Sequence, residues 1–98
     1  MTIQTQNEGN ILTMFLEGRL DSSTAEELET AINGVLSADT EKLIINLHEV
    51  DYVSSAGLRV MVKAYKALSG KSLVIQQPND AVREVLNMSG LLKFFAIE

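Results

Sequence analysis

Residues 42–62, KLIINLHEVDYVSSAGLRVMV, decide how the rest of the chain is read. Leu43, Ile44, Ile45, Asn46 and Leu47 form a short apolar run of strand length. His48, Glu49, Val50 and Asp51 read as a polar, acidic connection. Tyr52 and Val53 lead into the small residues Ser54, Ser55, Ala56 and Gly57. Beyond them Leu58, Met61, Val62, Tyr65 and Leu68 fall at helical spacing. A strand that passes through small residues into a helix leaves free backbone N–H groups at the helix start. Here two serine hydroxyls sit beside those groups.

Working outward toward the N-terminus, residues 11–17 (ILTMFLE) are apolar on both sides of the alternation. They predict a strand covered on both faces. Residues 3–8 predict an edge strand, joined to it by a turn at Gly9 and Asn10. Gly18, Arg19, Leu20 and Asp21 leave the sheet, and Ser23 with Glu26 fits an S-x-x-E capping box for the helix that follows. Leu28, Ile32, Val35 and Leu36 give that helix one apolar face. Toward the C-terminus, residues 72–76 (SLVIQ) predict a strand. Asn79 or Asp80 caps a third helix with Val82, Val85 and Leu86 on its inner face. Residues 94–97 predict a last strand. The order β-β-α-β-α-β-α-β predicts a single α/β domain over residues 1–98, with a mixed, mainly parallel sheet and an antiparallel hairpin at one edge.

Composition narrows the function. A net charge of −5 argues against nucleic acid, whose phosphates call for clustered Lys and Arg, and against an anionic membrane surface. The chain has no cysteine and one histidine, so neither disulfides nor a structural zinc site is expected, and no metal or cofactor is assigned. No stretch approaches the roughly 18 apolar residues of a membrane span. The first residues, MTIQTQNEGN, have neither a basic nor an apolar secretory region, so a cytoplasmic protein is expected. Catalytic signatures are missing as well. There is no G-x-S-x-G elbow and no glycine-rich phosphate loop. Asp21, His48, Glu49 and Asp51 are the residues a small enzyme or nucleotide-binding protein would use, and solvated loop residues are the plainer reading.

The serines can be given separate jobs. Ser54 suits the N-cap, where a hydroxyl accepts a free N–H. Ser55 then occupies the first helical position with its hydroxyl toward solvent. A phosphate there would meet the positive end of the helix dipole. Arg59, four residues on, could pair with it. Arg59, Lys63 and Lys66 form a basic stripe, read as a solvated face or as a docking surface for an acidic partner.

Five segments in order and spacing resemble the bacterial anti-sigma factor antagonists, whose fold is the STAS domain. They are Gly18-Arg19-Leu20-Asp21, Thr24-Ala25-Glu26-Glu27-Leu28, Ile44-Ile45-Asn46-Leu47, Val53-Ser54-Ser55-Ala56-Gly57-Leu58 and Met88-Ser89-Gly90-Leu91. The resemblance implies helices packed mostly on one side of the sheet. It implies a non-enzymatic protein whose unphosphorylated form binds an anti-sigma factor that is also a serine kinase, freeing a sigma factor. Phosphorylation by that partner ends the binding, and a phosphatase reverses it. Counting back from Gly57, the family's D-S-[ST]-G motif places the phosphoserine at Ser55. Ser54 stands where the motif has aspartate, Ala56 where it has a hydroxyl residue, and Arg59 at a position often small; Ser54 is thus a rival acceptor. Asp21, Ser54, Ser55, Ala56, Gly57 and Arg59 become the expected partner surface, with Asp21 holding the serine hydroxyl or touching the kinase. The alternative within the fold is a STAS accessory subunit of a transporter or signalling complex that is not phosphorylated.

Overall fold

The computed structural model describes residues 1–98. A hairpin of β1 (Thr2–Glu8) and β2 (Ile11–Leu20) turns at Gly9, whose φ of 63° suits a residue without Cβ. The chain continues through α1 (Ser22–Val35), β3 (Lys42–Val53), α2 (Ser55–Ala67), β4 (Ser72–Gln76) and α3 (Asp80–Met88). It ends in a 3-10 turn (Leu91–Lys93) and β5 (Ala96–Ile97). The strands lie side by side in chain order, β1-β2-β3-β4-β5. Only the hairpin pair is antiparallel.

That order decides where the helices go. Each parallel connection moves one strand along in the same direction, and such crossovers are right-handed. All three helices therefore return on the same face, as the family resemblance implied. The core forms between them and rows of aligned side chains. Leu12, Leu43 and Leu73 share one row, and Met14, Ile45 and Ile75 the next; all six are buried. Ala25, Leu28 and Ile32 of α1, Val60, Met61 and Ala64 of α2, and Val82 and Leu86 of α3 close over them.

The expectation that residues 11–17 are covered on both sides does not hold. Leu12, Met14 and Leu16 face the core, but Ile11 and Phe15 on the other face are each 39% exposed. The strands also run further than their composition suggests. β2 continues to Leu20, and β3 absorbs His48 to Asp51 rather than ending at Leu47. Two register shifts explain the second difference. Phe15 pairs with Asn46 but Glu17 with Glu49, and Gly18 pairs with Val50 but Arg19 with Tyr52. Each step leaves one extra residue in β3, a bulge. The core-facing apolar positions of β3 are therefore Leu43, Ile45, Leu47, Val50 and Val53, spaced by two, two, three and three. The last strand is shorter than expected, because the Phe94 and Phe95 N–H groups both donate back to the Leu91 carbonyl, at 3.0 and 3.1 Å, and leave only Ala96 and Ile97 to pair.

Candidate functional site

β2 and β3 end together, with Leu20 opposite Val53. α1 and α2 start directly after them, so two helix N-termini stand side by side at one rim of the sheet. The Ser54 N–H donates to the Leu20 carbonyl at 2.8 Å, which ties the two starts together.

Ser54 is the N-cap of α2, in extended conformation, and its hydroxyl accepts the Gly57 N–H at 3.3 Å. Its carbonyl accepts the Leu58 N–H at 3.0 Å, the first bond of the helix. Ser55 is the first helical residue and is exposed; its hydroxyl makes no hydrogen bond within the chain. Ala56 is half-buried against the core. Gly57 is buried, and a Cβ there would lie 2.6 Å from Leu20 Cγ. Its role at the rim is to let α2 approach β2, beneath the surface a partner would touch.

Asp21 is the N-cap of α1. Its Oδ1 accepts from the Ser23 and Thr24 N–H groups at 3.0 and 3.1 Å and from the Ser23 hydroxyl at 2.7 Å. In return the Thr24 hydroxyl accepts the Asp21 N–H at 2.9 Å. The capping box is thus Asp21 with Thr24, not Ser23 with Glu26. The cause is that β2 reaches Leu20, which starts the helix at Ser22. The Ser23 hydroxyl, followed by the Thr24 N–H, holds the Asp21 carboxyl below the usual carboxylate range. Asp21 makes no hydrogen bond to Ser54 or Ser55; its Oδ2 accepts none and stays available at the rim.

Arg59 is exposed and forms no ion pair. It lines a shallow groove between α1 and α2 together with Glu26, Glu29 and Lys63. Lys63 of the basic stripe is held by Glu29 at 3.0 Å. His48, Glu49 and Asp51 lie on β3 and not on a loop, and no three such side chains come together to hold a metal ion.

One pair at this rim escaped sequence reading. The Arg19 guanidinium stacks 4.4 Å from the Tyr52 ring centroid, and Tyr52 stays 42% exposed. The two are register partners on the face opposite Leu20 and Val53. The signal was in the strands, but it could be read only once both strands were extended past Gly18 and Leu47.

The comparisons agree with this architecture. The STAS domain model matches residues 2–98. The chain is 34% identical over 85 residues to BtrV of Bordetella bronchiseptica, which bears the provisional name of anti-sigma factor antagonist; the match covers 84% of this chain and 72% of that protein. It is 29% identical over 93 residues to the anti-sigma-B factor antagonist of Staphylococcus aureus, covering 93% of this chain and 86% of the relative. Among solved structures, an anti-sigma factor antagonist from Mycobacterium paratuberculosis superposes with a TM-score of 0.88 at 26% identity, over 98% of this chain and 83% of that one. These are names of regulatory binding proteins, not of enzymes. With the family model spanning all but the first residue and the same fold in a solved relative, the chain belongs to the STAS domain family.

Proposed function

We propose that this chain is an anti-sigma factor antagonist switched by phosphate on Ser55. The unphosphorylated form binds an anti-sigma factor that is also a serine kinase, and the sigma factor is released. The partner phosphorylates Ser55 and the complex ends; a phosphoserine phosphatase restores binding. The observation that carries this reading is the division of labour between the serines. The Ser54 hydroxyl oxygen caps the helix by accepting the Gly57 N–H, while the Ser55 hydroxyl is exposed and makes no hydrogen bond at the first turn of α2. The names of the relatives support the partner class.

The docking surface is the rim formed by Asp21, Ser54, Ser55, Ala56 and Arg59, shaped from below by Gly57. Phosphate on Ser55 adds a charge of about −2 at a helix N-terminus, where the dipole favours it, so the helix survives. In a tight interface the same dianion must be desolvated. A loss of about 4 kcal/mol weakens binding about a thousandfold, enough to separate the partners.

The test is intact mass after incubation with ATP and a purified anti-sigma kinase. One phosphate is added to the native chain and to Ser54→Ala, and none to Ser55→Ala. The phosphorylated chain then elutes apart from the kinase in gel filtration. Phosphate on Ser55→Ala, or a phosphorylated chain that stays bound, overturns the reading.

A further inference from the structure

Predominantly parallel sheets are ordinarily covered on both faces. Here the helices cover one, and the other carries an apolar strip of Ile11, Phe15 and Ile44 across neighbouring strands. Beside Phe15 this open face sinks into a pocket of about 290 Å³, walled by Gln4, Glu17, Asn46, His48 and Glu49. It lies at the first bulge of β3, where the extra residue brings Glu49 directly opposite Glu17. Like charges placed opposite each other on paired strands are destabilising. No lysine or arginine forms an ion pair with either acid. Glu17 is in no ion pair, Glu49 has only His48 at 3.7 Å, and Lys42 on the same face is engaged with Glu98 at 3.9 Å.

An exposed ring beside two adjacent carboxylates suits a guanidinium, which is planar, stacks on aromatic faces and binds carboxylates through paired N–H groups. A second copy of the chain would set these acids against their own kind, at a net charge of −5 per copy. We propose that the open sheet face is a second docking surface, separate from the rim that carries Ser55. A partner protein seats an arginine side chain there, between Phe15, Glu17 and Glu49.

The probe is the capped tripeptide acetyl-Leu-Arg-Leu-amide, titrated into the full chain at millimolar concentration while backbone amide shifts are followed by NMR. Saturable shifts are expected at Glu17, Asn46 and Glu49. Affinity falls about tenfold in the double variant Glu17→Gln, Glu49→Gln and is unchanged in Ser55→Glu, so failure here is distinct from failure of the switch. The double variant removes two charges from one register position; its urea midpoint, measured beside that of the native chain and expected unchanged or higher, separates a loss of binding from a loss of fold. The proposal is overturned if shifts do not saturate, if acetyl-Leu-Gln-Leu-amide binds as well, or if the double variant binds undiminished.

Discussion

A methyl group at Gly57 would stand 2.6 Å from Leu20 Cγ, 2.8 Å from Leu20 Cδ2 and 3.3 Å from the Leu20 carbonyl oxygen. Two effects oppose each other at this position. Alanine in place of glycine inside a helix is favourable by up to about 1 kcal/mol. Forcing extra volume into a packed site costs about 1–3 kcal/mol. Leu20 is fully buried and its carbonyl is bonded to Ser54, so it has nowhere to move. The steric cost wins. Gly57→Ala is expected to lower the urea midpoint, with the slope of the unfolding transition unchanged. Ser54 shows how much of the site could be read at this scale. Its cap is a local matter, a hydroxyl facing an N–H three residues on, and the order of residues was enough to assign it. The need for glycine at 57 was not local. It arises from contact with Leu20, 37 residues earlier, and follows only from the pairing of β2 with β3.

Helix starts and strand ends were the least legible parts at the scale of the element. The α1 cap lies two residues before the serine that the S-x-x-E pattern suggests, because Ser22, Ser23 and Thr24 all favour such positions and only the length of β2 selects Asp21. β3 was cut short for a related reason. Bulges replace the spacing of two by a spacing of three, so Val50 looks like part of a polar connection although it is buried. The Asp21 cap makes a prediction about acid. Its carboxylate is held below its ordinary range, so the stabilisation is fully present above that range and is lost as pH falls through the depressed folded value. Asp21→Asn keeps an acceptor for the N–H groups and flattens the acid side of the stability profile. Asp21→Ala removes the acceptor and lowers the urea midpoint near neutral pH as well. Urea midpoints measured from neutral to acid pH separate the two variants.

Across the whole molecule, the identity and order of the elements were legible because each carries its own pattern. Residues 72–76 are apolar over a strand length, and Val82 and Leu86 recur one helical turn apart. Which face of the sheet the helices occupy was not legible in residues 11–17, whose two apolar sides look alike. It depends on strand order and crossover hand, which no single segment records. The sequential order β1-β2-β3-β4-β5 has a consequence for how the chain assembles. Each strand adds to the edge left by its predecessor, and none must be threaded between two already in place. The sheet can therefore grow in the order of synthesis, with short loop closures at every step. On that route central β3 is docked before the last strand. Ile45→Val is expected mainly to slow refolding, and Ile97→Val mainly to speed unfolding, in stopped-flow measurements. On the same route the last strand, two residues long, is a latch expected to close once the other four have paired.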